Sequence, residues 1–313
     1  MSCALKSDVS IAAVFATMNR AATAVACVRA LAAQTRPPAV VVVADNGSVD
    51  DTVVALQDLG ELPFRLILHR MSENRGNAGG VEAAMELAFA DGADAVWILD
   101  DDSWPRPGAL AALMEEEWSP LVVRHTLQVD PRTTQFTWPL QVMADGGGWR
   151  LAWSEADLPA GERFQTRIVW TGALVSRVVR DAVGPVNGEL FIRGEDEEYP
   201  WRIETAGFSF EAVREAVLDH PGPTDLGHWQ LAGKHLFFER GLADWKLYYK
   251  VRNMVWLKRR QQGRLAALRM ALAYAVVAVL CDGLQRLPLL RRAVADGWCG
   301  RLGRVAVEKL KAG

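Results

Sequence analysis

Asp100, Asp101 and Asp102 are three consecutive carboxylates set directly after the apolar run Ala95-Val96-Trp97-Ile98-Leu99. Adjacent carboxylates repel one another, and a shared cation makes such a cluster tolerable. Hard oxygen donors suit Mg2+ or Mn2+, ions that are shared with substrate phosphates. A solvated acidic turn is the plain alternative, but the apolar run before the triplet and Pro105 and Pro107 after it favour the metal. A second acidic group, Glu195-Asp196-Glu197-Glu198, holds four consecutive acids, whose repulsion favours a proton on at least one of them. A carboxyl group so placed can serve proton transfer to or from a substrate.

Other candidates stand at the ends of apolar runs. Asp45 closes one such run and can accept a hydrogen bond from an imide N–H like that of uracil or thymine, with an ordinary turn Asp as the alternative. Thr17 and Asn19 stand where the first run meets its loop and can line the same pocket. Arg75 adds a positive charge beside Gly76, Gly79 and Gly80, where backbone can come close to a ligand. Trp170, in Trp170-Thr171-Gly172, offers a ring face suited to sugar C–H surfaces, against which stands simple core packing. His220 follows the apolar Ala216-Val217-Leu218, while His228 and His235 are weaker candidates.

The elements that must position these residues follow a regular rhythm. Strand character over Val9 to Ala16, Ala39 to Ala44 and Phe64 to His69 alternates with helical stretches at Ala21 to Gln34, Val53 to Leu59 and Val81 to Ala90. Uninterrupted apolar strands of this kind belong to a parallel sheet covered on both faces, and ligands bind at its carboxyl edge. The pattern predicts a Rossmann-like α/β half ending at the triple Asp. A helix over Ala109 to Glu117 follows, then short strands and loops through residues 119–168, a strand over Val169 to Val175 and a helix over Ser176 to Val183. Residues 225–262 are aromatic-rich and read as helical. No GxGxxG follows the first strand, which argues against dinucleotide binding.

Half of the 313 residues are apolar, enough for a sizeable core. The net charge of −3 conceals an asymmetry, since from Lys250 onward fourteen Lys and Arg face three acids, leaving +11 there and −14 in residues 1–249. A tail of that charge points to an acidic neighbour, membrane or nucleic acid, and no nucleic-acid-binding motif is present. Leu265 to Leu284 is apolar apart from Arg269 and Asp282, with a clean core only over Met270 to Cys281, short of the ~20 residues of a membrane span. An interfacial helix on anionic lipid fits best, with a buried helix and a span as alternatives. Cys3, Cys27, Cys281 and Cys299 are scattered without CxxC or zinc spacing, and fit reduced thiols in a cytosolic setting. Lys6 and Asp8 precede only five apolar residues, unlike a secretory signal.

Six segments in order resemble a known family. Val14 to Arg20 is similar to its opening strand and loop, and Val43-Ala44-Asp45-Asn46-Gly47-Ser48 to its second strand end. Asn74 to Gly80 matches N-x-G-x-A-G-G, and Leu99 to Pro105 matches L-D-D-D-x-x-P. Gly194 to Tyr199 resembles a late acidic motif, and Tyr248 to Asn253 matches Y-Y-x-x-R-N. Together they resemble family 2 glycosyltransferases with the GT-A fold, of the bacterial rhamnosyl- and galactofuranosyl-transferase type. The resemblance implies an α/β fold with a Rossmann-like, mostly parallel sheet flanked by helices, and a helical, basic C-terminal region. It implies a catalytic domain over 1–224, with a nucleotide-sugar half to about 118 and an acceptor half over 119–224, and a C-terminal region over 225–313.

By the same resemblance, Asp100 belongs to the ribose or metal shell, Asp102 binds the metal, and His220 completes the shell. Thr17, Asn19, Asp45, Arg75, Gly76, Gly79, Asp100, Asp101, Trp170 and Glu195 are expected to bind the nucleotide sugar. Asp196 is the expected base, while Glu197 and Glu198 open the following helix. Tyr249 and Arg252 share a helix face and brace the active-site floor, or else hold an anionic acceptor or lipid head group. The expected activity is inverting, Mn2+- or Mg2+-dependent transfer of galactofuranose or rhamnose from a UDP- or dTDP-sugar to a glycan or lipid-linked saccharide. The expected place is the cytoplasmic face of the inner membrane, on an anionic surface. The rivals are a sugar-1-phosphate nucleotidyltransferase, which expects a Gly-rich basic loop after the first strand, and a non-catalytic nucleotide-sugar-binding membrane scaffold.

Overall fold

Strand β1 (Ile11–Thr17) is buried along its whole length, and its alternating side chains feed two different cores. Ala12, Val14 and Ala16 pack with Val81, Ala84, Met85 and Ala88 of helix α3 (Gly76–Ala90). Ile11, Ala13 and Phe15 pack on the opposite face with Ala24, Cys27, Val28 and Leu31 of α1 (Ala21–Ala32). Strands β2 (Val40–Asp45) and β4 (Ala95–Ile98) divide their side chains between the same two cores. This is why their sequences run apolar without alternation: water meets neither face. The short α2 (Thr52–Gln57) and strand β3 (Arg65–Arg70) complete this half, in which β3, β2, β1 and β4 lie side by side and parallel.

The computed structural model describes residues 9–115, 118–223, 226–231, 234–239 and 241–306. Two units are distinguished, Met1–Asn187 with Asp196–Gly222, and Gly188–Glu195 with Pro223–Gly313. The first holds an 11-stranded sheet. Beyond β4 come β5 (Trp104–Pro105), α4 (Ala109–Met114), β6 (Val122–Val129), β7 (Leu140–Met143), β8 (Trp149–Ala152), β9 (Arg163–Arg167), β10 (Ala173–Ser176), α5 (Arg177–Val183), α6 (Glu195–Thr205) and β11 (Ser209–Asp219). The sheet order is β3-β2-β1-β4-β10-β6-β11-β9-β7-β8, with β5 against β11. Past β4 the sheet turns mixed, since β10 is antiparallel to both its neighbours while β6 and β11 are parallel.

Several expected boundaries move. Helix α3 starts at Gly76 rather than Val81; just before it Asn74 Oδ1 accepts the Gly76 N–H at 2.8 Å, a side-chain turn leading into the helix. The strand expected over Val169 to Val175 begins only at Ala173; Gly172 has φ +86° and a Cβ there would lie 1.9 Å from Thr126 Oγ1. Helix α4 ends at Met114, and Glu116 and Glu117 lie outside the described residues, as do Cys3, Lys309 and Lys311.

In the second unit the helix expected over 225–262 is corrected at its start. Strands β12 (Leu226–Leu231) and β13 (Lys234–Glu239) pair antiparallel, and the helix is α7 (Asp244–Gln262). The aromatic residues that suggested a helix face pack equally well across strands: Trp229 meets the Phe238 ring at 4.7 Å, and Phe238 covers Gly227 opposite it. The side chains of His228 and His235 lie outside those described. Helices α8 (Arg264–Asp282) and α9 (Leu287–Cys299) pack with α7.

Helix α7 shows why Tyr248 to Asn253 are needed. Arg252 is fully buried and donates to the carbonyls of Leu190 (3.1 Å) and Gly303 (2.6 Å), its guanidinium lying 4.7 Å from the Tyr249 ring centre. Asn253 Nδ2 donates to the carbonyls of Leu190, Ile192 and Arg193. These bonds hold the segment before α6, where Phe191 and Arg193 take left-handed backbone conformations. Within the second unit, Tyr249 and Arg252 thus hold the segment Gly188–Glu195.

Candidate active site

The register of the parallel strands gathers chemistry at one edge. Thr17 is paired with Asp45 across β1 and β2, and Val14 with Ile98 across β1 and β4, so the carboxyl ends of all three strands emerge together. Strand order reverses at β1, the switch point at which open α/β sheets bind ligands. After β4 the chain closes a tight turn, in which Ser103 N and Oγ both donate to the Asp100 carbonyl and Asp100 N donates back to Ser103 Oγ at 3.0 Å. That turn sends the three carboxylates in different directions.

Asp101 turns inward. It is buried, accepts the Thr17 hydroxyl at 2.8 Å and meets Arg20 Nη1 at 3.2 Å. Burial raises its pKa to about 6, against the opposing pull of Arg20 and Thr17. Asp100 accepts the Thr171 hydroxyl at 2.6 Å. Burial raises its pKa as well, opposed by His220 and Thr171, and the charge of Asp196 adds to the rise. Asp102 pairs with Arg20 Nη2 at 2.7 Å and with His220 Nε2 at 3.5 Å. Burial alone would raise Asp102, but the His220 hydrogen bond and the Arg20 charge outweigh it and hold its pKa at about 2.

Asp100, Asp102 and His220 each present a ligand atom, all within 4.8 Å of one another. His220 comes from the end of β11, three places from β4 in the sheet, and its backbone N–H donates to the Val129 carbonyl at the end of β6. Burial works against a charge on His220, but the hydrogen bond with Asp102 and the charge of Asp100 prevail and raise its pKa. Gln128 sets the ring: its amide donates to the Thr171 carbonyl at 2.9 Å, so its oxygen faces His220 Nδ1 at 3.2 Å. An Nδ1–H held by a carbonyl leaves Nε2 for a metal, the outer-shell arrangement metal-binding histidines use. Two carboxylates and an oriented imidazole fit a divalent cation.

The remaining expected residues take varied positions. Asp45 is buried at the end of β2; both its oxygens accept from Ser48 N, at 3.1 and 3.2 Å, and Arg70 Nε lies 3.8 Å away. Asn19 adopts φ +54° and ties two loops, its N–H donating to Ser48 Oγ and its Oδ1 accepting from Val49 N, both at 2.8 Å. Arg75 is ion-paired with Glu82 of its own helix at 2.6 Å. Gly79 and Gly80 answer to packing: a Cβ on Gly80 would lie 2.6 Å from Ala16 Cβ, and one on Gly79 equally close to Arg75 Cβ. Gly76 takes φ +71° at the helix start.

Trp170 is buried in the core with its ring edge-on to Tyr199 at 6.1 Å. Asp196 is exposed in the first turn of α6, where a negative charge is favoured. Glu198 is buried and bonded to Arg202, and Glu195 is buried and belongs to the second unit.

Arg20, Gln128 and Ser103 escaped the sequence reading. Arg20 stands in the loop after β1 and neutralises the triplet from within the chain, a task that the spacing of the aspartates had assigned to a bound cation alone. Its place in Thr17-Met18-Asn19-Arg20 is the one signal that could have drawn attention to it.

The sequence model of the family described as Glycosyl transferase family 2 matches residues 13–166, which include the strands and loops that carry Thr17, Asp45 and the aspartates. Galactofuranosyltransferase GlfT1 of Mycobacterium tuberculosis (strain H37Rv) is 30% identical over 221 residues, covering 69% of this chain and 71% of that protein. GlfT1 of Mycolicibacterium smegmatis is 28% identical over 226 residues, with coverages of 69% and 72%. Among solved structures, TarS 1–349 of S. aureus in complex with UDP superposes with TM-score 0.56 at 14% identity, covering 92% of this chain and 80% of that one. Mannosyltransferase PcManGT of Pyrobaculum calidifontis, in complex with GDP-Man and Mn2+, gives 0.53 at 18% identity, covering 96% and 78%. Sequence kinship and shared fold agree: the chain belongs to glycosyl transferase family 2 and is a glycosyltransferase.

Proposed function

We propose that this glycosyltransferase moves galactofuranose, ahead of rhamnose, from a UDP- or dTDP-sugar to a hydroxyl of a glycan or lipid-linked saccharide, with inversion at the anomeric carbon. The observation that carries the reading is the approach of Asp100, Asp102 and His220 to within 4.8 Å at the carboxyl edge of the sheet. The names of the M. tuberculosis and M. smegmatis relatives support the sugar, and the UDP complex of TarS supports a uridine donor.

In this reading Asp45 accepts the imide N–H of the base, using lone pairs left over from its bonds to Ser48. Thr17, Asn19 and the α3 N-terminus line the nucleotide, and Trp170 backs the sugar. Asp100, Asp102 and His220 hold Mn2+ or Mg2+, which when bound supplies positive charge to the leaving diphosphate. Asp196 takes the proton of the acceptor hydroxyl as that oxygen attacks the anomeric carbon opposite the leaving group. A single displacement with a single base inverts the centre and needs no covalent nucleophile. Acceptors bound to lipid put the reaction at the cytoplasmic face of the inner membrane.

Calorimetric titration of UDP, dTDP and GDP, with and without Mn2+, tests the site on the native chain and on Asp102→Ala. Binding of UDP or dTDP that requires both the metal and Asp102 is expected; nucleotide binding indifferent to both would remove the metal from the reading. Asp196→Asn is expected to lower kcat by roughly 10²–10⁴ while sparing nucleotide binding.

A further inference from the structure

Helix α8 has two unlike faces. Ala267, Tyr274, Val277 and Ala278 are buried, and the helix packs on α7 and α9. Leu265, Leu268, Leu272, Val276 and Leu280 recur at spacings of three and four, so they share one side. Each is 43–69% exposed, and Leu284 beyond the helix end is exposed too. Single exposed leucines need no explanation, but an apolar stripe from Leu265 to Leu280, ~23 Å of helix broken only by Arg269, does.

The cations around this stripe point to what covers it. Arg264 and Arg269 are exposed on α8, Arg269 on the leucines' own side between Leu265 and Leu272 with a side chain long enough to carry its charge up to the head groups, and Arg260 is exposed at the end of α7 just before it. Among the described residues none of the three is ion-paired, Arg260 resting on the Trp256 ring at 5.1 Å; Arg291 of α9 is likewise exposed and outside the ion pairs, whereas Arg286, Arg292 and Arg301 in the same unit are paired. Unpaired guanidinium groups beside an exposed apolar stripe match anionic head groups above an acyl boundary.

By length and composition alone α8, with 19 mostly apolar residues, could cross a membrane. Its packing argues otherwise. One side of α8 is committed to α7 and α9, and a span would draw Lys258, Arg259, Arg291 and Arg292 of those helices toward hydrocarbon.

We propose that α8 lies flat in the interface of an anionic bilayer, Leu265, Leu268, Leu272, Val276 and Leu280 facing the acyl chains and Arg260, Arg264 and Arg269 the lipid phosphates. This deepens the lipid-linked-acceptor reading, on which it rests only for its purpose. The full chain is sedimented with vesicles of phosphatidylcholine alone and of phosphatidylcholine mixed with phosphatidylglycerol, over a range of salt. Wild type is expected to bind the mixed vesicles, less so as salt rises. Leu268→Ser with Leu272→Ser, and separately Arg264→Glu with Arg269→Glu, are expected to weaken binding at least about tenfold. Thermal unfolding and UDP binding, measured on the same preparations, should stay unchanged in both variants.

No binding by wild type, or binding equal for both vesicle types and all variants, overturns the proposal. So does a leucine variant that merely dissociates an oligomer, which would make a second copy the occupant, and so does membrane-bound protein that resists alkaline extraction, which would mean a span. Vesicle binding without any UDP binding would leave the surface standing and sink the uridine-donor reading instead.

Discussion

At the scale of single residues, the site depends on groups that position others. Gln128 makes no claim on chemistry, yet its amide is held by Thr171 so that only its oxygen can face His220. Replacing it with Leu keeps the size and removes the acceptor, freeing the imidazole to rotate. Gln128→Leu is expected to weaken Mn2+ binding about 10–100-fold, read by metal titration, with the folded state retained. An unchanged affinity would mean that Asp102 alone orients His220. The three aspartates also divide their work, Asp101 serving Thr17 and Arg20 while its neighbours face His220. A run of identical residues gives no hint of that division; the turn closed by Ser103 creates it.

At the scale of elements, the close approach of helices to strands and loops sets what is tolerated. Gly80 lets α3 lie against Ala16 and Asn46, which makes the glycine-rich motif a packing device. Arg252 of α7 has a similar role in the second unit, where its buried guanidinium satisfies the carbonyls of Leu190, before α6, and of Gly303, after α9. Truncating it strands those carbonyls and opens a cavity between Tyr248 and Tyr249. Arg252→Ala is expected to cost roughly 2–5 kcal/mol, measured by urea denaturation. Arg252→Lys should recover only part of this, because an ammonium cannot span both carbonyls and the Tyr249 ring. Full recovery by Lys would show that charge, rather than the planar fork, is what the site requires.

At the scale of the whole molecule, His125 links stability to pH. It is buried in β6, donating from Nδ1 to the Thr126 carbonyl and accepting the Thr166 hydroxyl at Nε2. Burial lowers its pKa from 6.5 to about 4, so the fold holds it neutral. Between those values the unfolded chain takes up a proton that the folded chain refuses. Its contribution is therefore complete above pH 6.5 and is lost as pH falls toward about 4. The urea midpoint of wild type should drop more between pH 7 and pH 5 than that of His125→Gln; equal drops would place the acid sensitivity in other groups.

The apolar strands, the triple Asp at a strand end and the basic tail were all legible in the sequence, because each is a local pattern with a local physical cause. So was the family, since its motifs are short and contiguous. Arg20, Gln128 and the buried face of α8 were not. Arg20 and Gln128 acquire their roles only when β1, β4, β6 and β11 bring distant loops to one sheet edge. Hydropathy weighs every α8 side chain alike, whereas packing against α7 and α9 buries one face and leaves the other in solvent. Composition set how apolar that helix is; only tertiary contact decided which of its leucines remain to meet something else.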